Sequence, residues 1–225
     1  SFFAIEGDPA LADRFPARKV GFDVVVEPDI NRYRMRKVRL LNGSHTSIVA
    51  AGYLAGHDTV LSCISDPLFK RYLERVLSEE IIPNVPMDPA ELLDFKDSIL
   101  DRFLNPSIQH RLLDISLHSI SKFTIRLLPS LESALTRGGQ APLLSFAFAS
   151  LIEFYKVQLD GKGGAIGRRG SETYPVRDDE SILAFFSNLW SSDLPSSALV
   201  TEALSNTSLW GKDLSGLPHL AQQVS

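Results

Sequence analysis

The apolar positions of this chain change period once, early, and keep the new period to the end. Phe2-Phe3-Ala4-Ile5 and Phe22-Asp23-Val24-Val25-Val26 are short β-branched and aromatic runs bounded by Gly7-Asp8-Pro9 and Pro28-Asp29, which predicts two strands. From Arg36 to Ala55 the residues Val38, Leu41, Ile48, Ala51 and Leu54 recur at helical spacings, with Gly52 and Gly56 near the end, which predicts one long buried helix. Asp66-Pro67 and Asp88-Pro89 each place an N-cap carboxylate before a proline suited to the first helical position. The first opens a stripe of Leu68, Tyr72, Leu73, Val76 and Leu77 that ends at Pro83. The second opens Leu92, Leu93, Phe95, Ile99, Leu100 and Phe103, ending at Asn105-Pro106. Further helical patterns cover 107–117, 121–136, 142–158, 179–190, 195–206 and 217–224. The fold class expected is therefore mainly all-α, a multi-helix domain behind a short strand-bearing N-terminal segment.

Asp160 to Gly170, rich in glycine and cation, interrupts the helices. It matches neither G-x-G-x-x-G nor G-x-x-x-x-G-K-[ST] and no predicted strand leads into it, so a solvent loop is expected rather than a phosphate cradle.

The 23 Lys and Arg against 27 Asp and Glu leave a formal charge of −4, which gives no electrostatic footprint for a nucleic-acid backbone. The longest apolar run, Ala141 to Tyr155, is broken by Pro142, Ser145, Ser150 and Glu153 and is too short for a membrane span. The opening residues lack the basic and apolar regions of a signal peptide. A single cysteine, Cys63, excludes an internal disulfide and any multi-cysteine metal site, and fits a reducing cytoplasm.

Lys37, Asn42 and His45 carry the densest chemistry. On a helix turning about 100° per residue they fall within an arc of roughly 140°, so an amine, an amide and an imidazole can address one cleft. Apolar neighbours on the other faces make such a cluster costly unless it is partnered, as a hydrogen-bond network or as a site. Spacing alone leaves both readings open.

The run Lys37-x-x-x-x-Asn42-x-x-His45 resembles the signature of the polyol-specific long-chain dehydrogenases, the mannitol dehydrogenase family. The likeness extends through Phe3-Ala4-Ile5-Glu6, Arg36 to Thr46, Ala51 to Gly56, Glu79 to Pro83, Arg102 to His110, Ser121-Lys122-Phe123, Leu128-Pro129-Ser130, Tyr174 to Asp179 and Trp210 to Leu214. The Arg-Lys-Val-Arg opening, Lys122-Phe123-x-x-Arg126 and Tyr174-Pro175-Val176 are more similar to members that reduce keto-sugar acids than to those acting on polyols. One departure is Gly7, which stands where mannitol dehydrogenases carry an acid.

The resemblance implies a helical fold like that of 6-phosphogluconate dehydrogenase C-terminal domains and a metal-independent, NAD-dependent oxidoreductase. It makes Lys37 the general acid/base, with Asn42 and His45 hydrogen bonding at the reacting oxygen or an adjacent hydroxyl. Lys122 would bind substrate, Arg126 would share in holding its carboxylate, and His110 would lie nearby. An N-terminal Rossmann domain holding most of the NAD contacts would precede residues 1–34 as linker and strand segment, with 35–225 as the helical substrate domain. The competing class is a helical binding domain without catalysis.

Overall fold

The computed structural model describes residues 2–225, which divide into two units, one ending at Val38 and one running from Arg39 to Ser225. In the first, β1 (Phe2–Glu6) pairs in parallel with β2 (Asp23–Glu27), Phe2 opposite Asp23 and Glu6 opposite Glu27. Parallel strands need a crossover, here a 3₁₀ turn, Pro9–Arg14, and the short α1 (Pro16–Lys19). Asp8 starts that turn by accepting the Ala10 N–H at 2.9 Å. In α2 (Asn31–Arg36), Tyr33 donates its hydroxyl to Glu27 Oε1 at 3.0 Å.

The second unit is helical around α3 (Gly43–Leu54), which is buried on nearly all sides and packs along α10 (Pro142–Phe154). The predicted 36–55 helix is helical throughout but not uniformly α, because Lys37–Asn42 forms a π-turn ahead of α3. Ser44 Oγ, His45 Nδ1 and Thr46 Oγ1 bond the carbonyls of Leu40, Leu41 and Asn42 at 2.7, 3.1 and 3.0 Å. Three successive side chains thus serve the backbone where its hydrogen-bond register changes.

Local caps explain most helix starts. Thr59 and Ser62 form a capping box for α4 (Val60–Ser65), and Asp66 Oδ1 accepts the Leu68 N–H at 2.8 Å for α5 (Pro67–Arg75). Asp88 Oδ1 accepts the Ala90 N–H at 3.0 Å for α6 (Pro89–Phe103). By contrast α10 has no side-chain cap of its own. Glu80, on a second π-turn (Val76–Ile81), accepts the N–H groups of Leu143 and Leu144 at 2.9 and 2.7 Å.

Four expectations need correction, the first being the 142–158 helix, which stops at Phe154 before a strand that starts at Val157. Of the predicted 107–117 helix only α7 (Leu112–Ile115) forms. Asn105 Oδ1 accepts the Ser107 N–H at 2.9 Å in a turn at Pro106, and the following stretch pairs with the start of α4 through Val60 N–H to His110 O and Leu112 N–H to Asp58 O, both 2.9 Å. The 121–136 helix is two, α8 (Ser119–Arg126) and α9 (Leu128–Thr136), since Pro129 denies the joining turn an N–H donor.

The glycine-rich segment is not a plain loop. β3 (Val157–Leu159), β4 (Ala165–Arg169) and β5 (Glu172–Val176) make an antiparallel sheet in order β3-β4-β5. Asp160 Oδ1 accepts the Lys162 and Gly164 N–H groups at 2.8 and 2.9 Å in the first turn, and Gly170 takes φ 60° in the second. Gly167 lies opposite Tyr174, and a Cβ there would fall 2.4 Å from the tyrosine ring. Arg169 ties the hairpin to the end of α3, donating to Tyr53 O at 3.2 Å and Asp58 Oδ1 at 2.9 Å.

Four helices complete the chain: α11 (Glu180–Trp190), α12 (Ser196–Ser205), α13 (Thr207–Trp210) and α14 (Leu220–Val224). Phe148 stacks on Phe123 at 4.7 Å and meets Trp210 edge-on at 4.8 Å, locking α8, α10 and α13 together. Among the described residues no helix is long and apolar enough to cross a membrane.

Candidate functional site

His45 lies in the first turn of α3. Its Nδ1 is 3.1 Å from Leu41 O, so that nitrogen carries the proton and donates, leaving Nε2 as an acceptor. Nε2 is buried and has no hydrogen-bond partner among the described residues. The ring packs 4.3 Å from Phe103 and 5.7 Å from His110. Burial, reinforced by His110, Arg126 and Arg102, pushes the imidazole down to about 4, so it is neutral at physiological pH.

Two cations face it from α8, where Lys122 and Arg126 stand four residues apart on one side of the helix. Lys122 Nζ donates to Ile115 O at 2.8 Å, and Arg126 Nη1 donates to Thr46 Oγ1 at 3.1 Å. Burial holds both below their ordinary values, and Arg126 lowers Lys122 further. Among the described residues neither forms an ion pair with a carboxylate. Two half-buried cations without a counter-ion favour an anionic ligand.

His45, His110, Ile115, Lys122 and Arg126 line one open pocket of about 250 Å³. Larger pockets, about 480 and 460 Å³, both touch Trp190, and the first is mainly apolar. Volume alone would choose those. The smaller pocket has the convergent polar groups that orient a small substrate.

Four of the six residues singled out in the sequence therefore meet. His110 reaches the pocket because its segment is extended against α4 rather than helical. Asn42 is half-buried at the end of the π-turn, in the second unit, and Lys37 is an exposed residue of the first. Sequence reasoning missed Thr46 as the partner of Arg126, although it lies inside the quoted motif. It also missed Arg39, whose guanidinium donates to Ser130 Oγ while its Nε is without a partner among the described residues. A separate group, His118, Asp178 and Asp179, has side-chain ligand atoms within 4.8 Å of one another.

The profile of the mannitol dehydrogenase C-terminal domain family matches residues 29–225. Altronate oxidoreductase of Yersinia pestis bv. Antiqua (strain Nepal516) is 39% identical over 99% of this chain and 45% of its own length. The Escherichia coli (strain SMS-3-5 / SECEC) protein of the same name is 36% identical over the same shares. The chain thus spans about half the length of the curated relatives it matches. In fold, Pseudomonas fluorescens mannitol 2-dehydrogenase, solved as a ternary complex with NAD and D-mannitol, superposes with a TM-score of 0.75 at 23% identity, covering 93% of this chain and 39% of that one. A substrate-free D-sorbitol dehydrogenase gives 0.70 at 22% identity, covering 93% and 40%.

Proposed function

This chain belongs to the mannitol dehydrogenase C-terminal domain family, and from that premise we propose that it is the substrate-binding half of an NAD-dependent oxidoreductase interconverting tagaturonate and altronate. The name of its 39%-identical relatives supports the substrate class. The observation that carries the reading is the pocket itself, two cations without a counter-ion beside a neutral histidine with a free acceptor nitrogen.

Arg126 and Lys122 hold the substrate carboxylate, which supplies the ion-pair partner that neither has among the described residues. His45 Nε2 accepts from a substrate hydroxyl. Of the two roles expected for His45, its bond to Leu41 favours this one, since an imidazole already donating from Nδ1 has no second proton for an oxyanion. Asn42 donates its amide to the carbonyl oxygen, and Lys37 gives that oxygen its proton, or removes it in the oxidative direction.

The nicotinamide supplies the hydride. The turn after β1 carries a single glycine, Gly7, and does not fit a dinucleotide's pyrophosphate, so the cofactor is assigned to a Rossmann domain other than these residues.

The test uses the full-length protein with NADH and tagaturonate, fructuronate or fructose. Arg126→Met should raise KM for the keto-sugar acid about tenfold or more and leave fructose unaffected, while Lys37→Ala should lower turnover by about 10²–10⁴. Near-normal turnover in Lys37→Ala would remove it as the acid/base. A preference for fructose over both acids would point to a mannitol 2-dehydrogenase activity, and one for fructuronate to the isomeric uronate.

A further inference from the structure

Tyr174-Pro175-Val176-Arg177-Asp178-Asp179 has no part in the chemistry just described, yet the Asp178 side chain is only 1% exposed. What surrounds it is the start of α8. His118 precedes that helix in the left-handed conformation, φ 51°, and gives it no side-chain cap. The start of α8 is held instead through His118 itself, the residue from which the helix begins.

Tyr155, fully buried at the end of α10, donates that hydroxyl to Asp178 Oδ2. Asp178 Oδ1 accepts the Asp179 N–H at 2.9 Å and lies 3.1 Å from His118 Nδ1. The His118 N–H donates in turn to Arg177 O at 3.0 Å. Both Asp178 oxygens are thereby engaged, one by Tyr155 and the other by the Asp179 N–H and by His118, the residue that opens α8. Lys122 follows within a turn, its N–H on His118 O at 3.2 Å. Asp178 also favours the charged form of Lys122, against burial and the cations Arg126 and Arg177.

We propose that Tyr155 and Asp178 are positioning residues for the substrate carboxylate: as a joint anchor on His118, the cap residue of α8, they fix the start of that helix, and so the place where Lys122 and Arg126 meet that group. The positioning role rests on the reading of Lys122 and Arg126 given above, whereas the anchor does not.

Tyr155→Phe and Asp178→Asn in the full-length protein separate the two. Amide hydrogen exchange over residues 119–123 should quicken about tenfold in each variant while α3 and α6 keep their protection. KM for tagaturonate should rise about tenfold with kcat within about threefold, KM for fructose should not move, and the double variant should be no worse than the single ones. Unchanged exchange at α8 would overturn the anchor. Quickened exchange with an unchanged KM for tagaturonate would overturn the positioning role. If the wild-type protein does not turn over keto-sugar acids, the positioning role falls with the substrate reading, and exchange still decides the anchor. Should Asp178→Asn fail to fold, Tyr155→Phe, which loses one oxygen, carries both readouts.

Discussion

Lowering the pH tests the state of His45 directly. Its folded-state value is about 4 against an ordinary 6.5, chiefly because the ring is buried. The unfolded chain therefore takes up a proton first as pH falls. His45's contribution to stability is complete above about pH 6.5, shrinks between 6.5 and about 4, and is gone below both values. At about 1.4 kcal/mol per pH unit, the separation between 6.5 and about 4 amounts to about 3 kcal/mol, an upper figure because the pocket is open on one side. The same numbers keep all but about one molecule in a thousand neutral at pH 7.

The assay is a long-range proton–nitrogen NMR titration of the imidazoles, with the His45 signals assigned by their loss in His45→Gln. Nδ1 should carry the proton and Nε2 should be bare, with no shift change from about pH 8 to about pH 5.5. A midpoint near 6.5, or a proton on Nε2, would refute the account of the pocket and with it the acceptor role of His45 toward a substrate hydroxyl.

Packing gives two further expectations. Gly52→Ala puts a Cβ 2.7 Å from Cys63 Sγ and 3.4 Å from Leu112 Cδ1, which should cost about 1–3 kcal/mol in denaturant melts. Adding Cys63→Ala should recover part of that loss, and strict additivity would show that the two do not touch. Gly167→Ala should cost more than about 2 kcal/mol by driving Tyr174 off its 3.0 Å bond to Phe154 O; an unchanged melt would refute the β4–β5 register. Dialysis of the full-length enzyme against EDTA should leave its activity intact, and loss restored by zinc would assign the chemistry to a metal.

What could be read from the sequence is what is local. Asp66 and Asp88 announce their helices because each caps an N–H two residues away, and the periodicity from Val38 to Leu54 survives the π-turn because it still describes a buried helix. The sheet at 157–176 was illegible because its inward positions, Val157, Ala165, Gly167, Tyr174 and Val176, do not alternate as an apolar set. Gly167 is buried only because Tyr174 covers it. The predicted helix over 107–117 fails for a similar reason, since its backbone finds partners at Asp58 and Val60. In the site, spacing could link Lys37, Asn42 and His45, or Lys122 and Arg126, but not the two groups to each other. Resemblance supplied that link, and neither route reached Tyr155.

The helices of this protein differ in when they can be finished. α5 and α6 carry their starting signals within two residues, so each can begin as soon as it leaves the ribosome. α10 waits for nothing either, since Glu80 is made before it. α8 is different: its anchors, Tyr155 and Asp178, are synthesised after it, the latter 60 positions beyond His118. At about 5–20 residues per second the helix bearing Lys122 and Arg126 stays unanchored for about 3–12 s of translation. Stalled nascent chains should be cut by protease within 119–126 until Asp178 has emerged and resist once it has, and early resistance would show that α8 holds without its borrowed anchor.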